Sequence, residues 1–263
     1  MRKYIYIYKA TLMENLQYVG NIIMGFLSFI VMISIFMHLW EYMYASGENL
    51  IGGYTKEQMI WYVILTEMIW FGTRNKILTT QISQDIKSGT IAYGLNKPYH
   101  YLLYIISRHF GDITIKMTLY IGLALGMGIG MVGLLPKVRI YHVILVIPII
   151  FMAIYISTLI RIIISIMSFG IEDSGPFHWI YDKLILVLGT LFPVEVFPVW
   201  LKPFIIFSPI FVVTYGPARL IIQFSFVLYV KVLGAQLLHI IFLSFALWIL
   251  YRKGVKKLNV NGG

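Results

Sequence analysis

A chain of 263 residues that is 59% hydrophobic and only 12% charged, with a mean hydropathy of +0.82, is composed for a bilayer, because soluble domains carry about 25% charge. Lacking cysteine, it has no disulfide, thiolate nucleophile or sulfur-ligated metal site. Its net charge of +10 is not gathered into a basic stripe on a soluble domain, so no nucleic-acid partner is expected; topology and anionic lipid headgroups account for the excess.

Residues 1–18 repeat apolar positions at Tyr4, Ile5, Tyr8, Leu12 and Leu16, with Arg2, Lys3, Lys9 and Glu14 toward other faces. That pattern predicts an amphipathic helix along the inner membrane surface. Six spans of predominantly apolar residues follow, at about 19–44, 55–78, 114–134, 141–168, 179–192 and 226–251, each read against the roughly 20 residues that cross a bilayer. The first is longer than a signal-peptide core of roughly 7 to 15 residues and reads as retained. The second opens on the capping-box pair Thr55 and Gln58 and carries Glu67 near its middle. The third ends a longer helix that begins just after Pro98, and it sets Gly122, Gly126 and Gly130 on one face as helix-packing positions. The fourth holds Pro148, a source of a kink, and Arg161 toward its later end.

Ionisable residues within spans are functional candidates. Glu67 and Arg161 therefore read as path residues or an intramembrane pair, the plainer alternative being that Arg161 snorkels while Glu67 bonds to a neighbouring helix or is protonated. Asp112 and Lys116, four apart, read as an intrahelical pair. Glu172 and Asp173 read as caps of the turn made by Gly170, Ser174, Gly175 and Pro176.

Two segments break the pattern of spans. Residues 79–98, including QISQDIKSGTIAYGLNKP, form a polar island far longer than a bare connection needs. Residues 193–220 contain Pro193, Pro198, Pro203, Pro209 and Pro217, five of the nine prolines, in a stretch rich in Phe, Ile, Val and Trp. Straight helices do not tolerate that, and non-helical backbone at membrane depth survives only under protein or beside a watery cavity. Short broken helices that dip into the outer leaflet and return are expected.

Orientation follows from Lys and Arg placement. With the amino terminus inside, cytosolic segments hold thirteen: Arg2, Lys3, Lys9, Arg74, Lys76, Lys87, Lys97, Arg108, Lys183, Arg252, Lys253, Lys256 and Lys257. Outer segments hold five, Lys56, Lys137, Arg139, Lys202 and Arg219, so both termini are expected in the cytosol. His38, His100, His109, His142, His178 and His239 stand alone, without zinc spacing. His38 and His239 lie in separate spans, where a haem ligand or an ordinary hydrogen bond would each fit. No GxSxG elbow, phosphate-binding Gly-rich loop or carboxylate cluster for a metal occurs. Enzyme is the weaker class.

Taken together, the six spans, the surface helix, the island DIKSGTIAYGLNKPYHY, the turn FGIEDSGPFHWIYDKL, the segment FPVEVFPVWLKP and the tail LNVNGG resemble the type-2 ATP-binding-cassette exporter permeases. The nearest likeness is to the bacterial branch whose permeases are encoded in pairs beside an ATPase, and it covers nearly the whole chain. The resemblance implies that Gln81–Gly94 includes a coupling helix seated in a groove of a cytosolic ATPase, with Ile82, Gln84, Asp85, Ile86, Lys87, Ser88 and Gly89 as its residues. Asp85, Lys87 and Ser88 would make polar contacts, while Ile82 and Ile86 would enter an apolar cleft or hold the helix to the bundle. It also implies that the broken segment closes the exit, with Pro193, Glu195, Pro198 and Trp200 as an outer gate.

The chain has no ATPase motif, so no cofactor is expected on it, and ATP and Mg belong to the partner ATPase subunit. A second permease, itself or a paralogue, would complete the path in a bacterial cytoplasmic membrane. The expected function is export of a hydrophobic or amphipathic compound by alternating access. The alternatives are self-protection against an antimicrobial peptide within the same superfamily and, from another class, an intramembrane enzyme or haem protein.

Overall fold

The computed structural model describes residues 2–17, 19–47, 49–74, 76–134 and 139–261. Lys137, Tyr18 and the terminal Gly262 and Gly263, used in the sequence reading, lie outside the described residues. The described chain is helical, with one isolated bridge between Ile51 and Tyr54.

Four helical stretches are long and apolar enough to cross a membrane: Met24–Tyr44, Tyr101–Met131, Tyr141–Phe169 and Phe226–Lys257. They fall in α2 (Val19–Tyr44), α6 (Tyr101–Met131), α7 (Ile140–Ile166, extended by a 3-10 turn, Met167–Phe169) and α11 (Phe226–Asn261). Helix α6 starts just after Pro98, as expected, and Pro148 sits inside α7. Helix α11 continues ten residues past the expected end of its span.

The other two expected spans differ. Helix α3 (Lys56–Thr73) stops short of residue 78, where Arg74 turns to extended backbone. It begins with the expected capping box between Thr55 and Gln58. It buries 13 of its 18 residues inside the protein, so it faces helices rather than lipid and tolerates a more polar composition. Helix α8 (Gly175–Ile185) starts four residues before the expected Trp179 and runs into a π-helical turn, Leu186–Leu191.

Helix α1 (Arg2–Gln17) lies against the start of α6. Lys3 Nζ donates to the Pro98 carbonyl, the His100 amide donates to Tyr4 Oη at 3.0 Å, and Tyr8 Oη lies 3.1 Å from Thr114 Oγ1. A Cβ on Gly111 would lie 2.6 Å from the Tyr8 carbonyl oxygen, so glycine permits this approach. The apolar repeat therefore divides: Tyr4, Tyr8 and Leu12 are at least partly buried, while Ile5 and Leu16 stay exposed beside Tyr6 and Met13.

Around α3 the main core gathers Phe29, Trp40, Tyr54, Tyr62 and Ile64, all fully buried. A second core joins Leu78, Ile82, Ile86, Ile91, Ile105, Ile162 and Tyr251. The first and last helices, α1 and α11, meet at this second end, since Lys3 and Tyr4 meet Pro98 and His100, whose ring lies 5.5 Å from that of Tyr251. We call it the terminal end and its opposite the far end. The proline-rich segment fills the far end with a 3-10 turn (Val194–Val196), α9 (Lys202–Phe207), a π-helical turn (Phe211–Tyr215) and α10 (Gly216–Ile222). Ile210 packs deep beside Tyr181 and Ile185, and the chain returns so that Gln223 reaches Gly53.

Candidate functional site

At the terminal end, a π-helical turn (Ile77–Gln81) feeds α4 (Ile82–Lys87), and after Gly89, whose φ of +73° only glycine adopts readily, α5 (Ile91–Leu95) follows. Ile82 and Ile86 are buried in the chain's own core, which fits the expectation that they hold α4 to the bundle. Asp85 accepts from Tyr101 Oη at 2.6 Å and from Thr90 Oγ1 at 3.4 Å within the chain. A half-buried carboxylate beside two hydroxyls satisfies itself locally. The exposed side carries Gln84, Lys87, Ser88, Gly89, Ala92 and Tyr93. Tyr93 is 74% exposed. Sequence reasoning passed over it, although an aromatic in a polar island is a visible signal.

Below this surface α4 is tied to the elbow between α7 and α8. Ser165 Oγ donates to the Leu78 carbonyl and lies 2.8 Å from His178 Nε2. Ser83 and Ser168 hydroxyls meet at 2.7 Å. Lys87 Nζ lies 3.3 Å from Asp173 Oδ1, which also accepts from the Gly175 amide at 3.1 Å, as expected for a turn cap. The Gly175 amide first, and Lys87 second, hold the Asp173 carboxyl below its ordinary range.

Arg161 does not meet Glu67. Its Nη2 lies 2.6 Å from Asp182 Oδ1 on α8, and its guanidinium sits 5.2 Å from the Tyr181 ring centre. Arg161 lines a small cavity with Trp70 and Thr73, past Glu67 along α3, where Asp182 is within reach. Nor does Arg161 snorkel, being 3% exposed. Glu67 is fully buried, and neither carboxylate oxygen has a hydrogen-bond partner among the described residues. Lys116 pairs with Asp112 at 2.7 Å, as the spacing predicted.

At the far end, Glu195 is the hub. Its Oε2 accepts from Tyr54 Oη at 3.2 Å, its Oε1 accepts from Tyr215 Oη at 2.5 Å, and Arg219 Nη2 lies 3.9 Å away. The Arg219 guanidinium also lies 4.3 Å from the Tyr54 ring centre. Burial pushes the Tyr54 phenol far above its ordinary range, so it remains a donor. Gln223 Nε2 donates to Gln58 Oε1 at 2.7 Å, binding the returning limb to the start of α3. Of the other expected gate residues, Pro193 is buried, while Pro198 and Trp200 are exposed on the surface. The partners Tyr54, Tyr215 and Arg219 were not found by sequence reasoning.

The glycine stripe makes no close packing within the chain: a Cβ on Gly122, Gly126 or Gly130 would meet nothing within 4 Å. Gly128 packs instead, where a Cβ would lie 2.3 Å from the Trp61 ring. That ring is held by a bond from Trp61 Nε1 to the Gly133 carbonyl at 3.0 Å. His38 Nδ1 lies 2.6 Å from the Ser34 carbonyl and His239 Nδ1 2.8 Å from that of Ala235. Each histidine thus has a bond within its own helix. Among the described residues no cluster suited to a metal ion occurs.

Four helices long and apolar enough to cross a membrane fit a multi-pass membrane protein. Residues 22–262 match the family described as ABC-2 family transporter protein, and the chain belongs to that family. No curated protein matches the sequence. The family makes the chain a permease subunit of an ABC transporter, a membrane transport component rather than a catalytic one, associated with an ABC ATPase subunit.

Proposed function

We propose that this permease exports a hydrophobic or amphipathic compound by alternating access, with its terminal end in the cytosol. The observation that carries the proposal is the exposed Gln84–Tyr93 surface tied through buried bonds to the α7–α8 elbow. An ATPase closing on Gln84, Ser88 and Tyr93 would push α4 against Ser165 and Ser168. Displacement of α8 would pass along its π-helical turn to Pro193 and the Glu195 hub. π-Helical turns are short irregularities common at functional sites, and here they stand at 77–81, 186–191 and 211–215 along that route.

In this reading six elements cross the membrane: α2, α3, α6, α7, α8 with its π-helical turn, and α11. Residues 193–222 are a re-entrant outer closure. The excess of Lys and Arg in terminal-end segments supports the orientation. Gly122, Gly126 and Gly130, open within the chain, suit close approach by a helix of a second permease. An apolar groove of about 250 Å³ between α6 and α7, lined by Phe110, Met117 and Phe151, suits an apolar cargo.

The chain's freedom from cysteine provides the test. Tyr93→Cys should cross-link to the ATPase subunit in native membranes, and Tyr93→Arg should lower transport-coupled ATP hydrolysis about tenfold or more while the permease still purifies intact. Labelling of Tyr93→Cys from outside intact cells, or unchanged coupling in Tyr93→Arg, would overturn the assignment.

A further inference from the structure

We propose that the groove between the later turns of α11 and the connection from α5 to α6 is a headgroup site for an anionic phospholipid. The groove has a volume of about 580 Å³ and its lining includes Leu95, His100, Trp248, Arg252, Lys253 and Lys256. Among the described residues none of Arg252, Lys253 and Lys256 forms an ion pair with a carboxylate. The cations therefore lack the local neutralisation found at Lys87, Lys116, Arg161 and Arg219.

The order of residues along α11 points to a lipid. Ile241, Phe245, Trp248, Arg252 and Lys256 follow one another at helical spacings of four, three, four and four, so they share one face. That face passes from aliphatic through aromatic to cationic, as an amphiphile with an anionic head would require. Ile241, Phe245 and Trp248 are 67%, 60% and 53% exposed, leaving an apolar strip for acyl chains. The Phe245 and Trp248 rings are stacked with centroids 6.0 Å apart, and Arg252 lies 4.6 Å from the Trp248 ring centre. Tryptophan favours the boundary between hydrocarbon and headgroups, and arginine beside it would meet the phosphate. A free phosphate would not use the apolar strip, and an acidic protein face would not reach into it.

The groove is also fixed in place. A Cβ on Gly254 would lie 2.2 Å from the Phe169 ring, so the close packing of α11 on the turn after α7 depends on glycine there. This packing holds the cationic turns beside the bundle. The inference rests on α11 as a membrane span.

The test is native mass spectrometry of the full chain, with any co-purifying ATPase, taken from bilayers of equal phosphatidylglycerol and phosphatidylcholine. The wild type should retain phosphatidylglycerol preferentially, and raising salt should weaken the preference. Arg252→Gln with Lys256→Gln should lower that preference about tenfold, the order expected on removing two cations from a lipid surface. Arg2→Gln with Lys9→Gln, an equal loss of charge on α1, should leave most of it, and the charge-keeping Arg252→Lys with Lys256→Arg should preserve it. Equal retention of the two lipids by the wild type, or an unchanged preference in the α11 double variant, would overturn the site. Loss of the ATPase from that variant with lipid preference intact would also overturn it and assign the groove to a protein. Failure of the wild type to carry an ATPase would count against the coupling proposal while leaving the lipid readout in force.

Discussion

The two ends of this permease are held together in different ways. At the terminal end, α4 and the π-helical turn before it are joined to the α7–α8 elbow by separate pairs: Ser165 with Leu78, Ser83 with Ser168, Lys87 with Asp173, and Arg161 with Asp182 nearby. At the far end, two tyrosines and an arginine converge on the single carboxylate of Glu195. Pairwise ties can be released one at a time, so an input there can be graded. A shared hub changes as a unit, which suits a closure that is either made or broken.

The largest effect should come from Asp182→Asn, which keeps the shape of the side chain but leaves the Arg161 guanidinium buried without its counter-charge. Breaking a buried pair on one side costs about 3–5 kcal/mol. Thermal unfolding of the purified chain should show the loss, and a change below about 1 kcal/mol would mean that water reaches Arg161. Glu195→Ala should rank next, near 2 kcal/mol, because it strands the hydroxyls of Tyr54 and Tyr215.

A double-mutant cycle sharpens the contrast between hub and pairs. Tyr54→Phe and Tyr215→Phe act on one carboxylate, so their effects should couple by about 0.5 kcal/mol or more. Ser83→Ala, worth about 1 kcal/mol, shares no partner with Asp182, and the two should add within about 0.5 kcal/mol. Additivity at the far end together with coupling at the terminal end would invert the proposed division of labour.

Local features of this architecture were legible in the sequence. The capping box at Thr55, the helix after Pro98, the Asp112–Lys116 pair and the broken proline region all depend on residues close together in the chain. Periodicity and proline chemistry report such features directly. The sites were less legible because their partners are distant. Tyr54 and Glu195 lie 141 residues apart, and no spacing rule joins them. Asp182 was not seen as the mate of Arg161, since the two stand 21 residues apart on different helices. The glycines at four-residue spacing suggested packing, yet Gly128, off that register, is the one that meets Trp61. The family match bears out the resemblance to type-2 ATP-binding-cassette permeases, which composition alone did not define.

The smallest expected effect is at Lys87 and Asp173, and it isolates the outermost tie of the terminal end. Both side chains are largely exposed, 41% and 63%, so water and salt screen the pair and its loss should barely move thermal stability. Its pH dependence still has a definite sign. The Asp173 carboxyl titrates lower in the folded chain than in the unfolded one, first because the Gly175 amide donates to it and then because Lys87 faces it. The unfolded chain therefore binds this proton first as pH falls. The contribution is complete above the ordinary carboxylate range and disappears as pH drops through the depressed folded value. Lys87→Gln should bring that folded value part of the way back toward normal, with the Gly175 bond keeping the remainder. Titration of Asp173 in the two proteins would read the shift. If Lys87→Gln left the titration unchanged yet altered ATPase coupling, Lys87 would act on the partner surface rather than through Asp173, and the two ends would differ in partner contact as well as in the form of their internal ties.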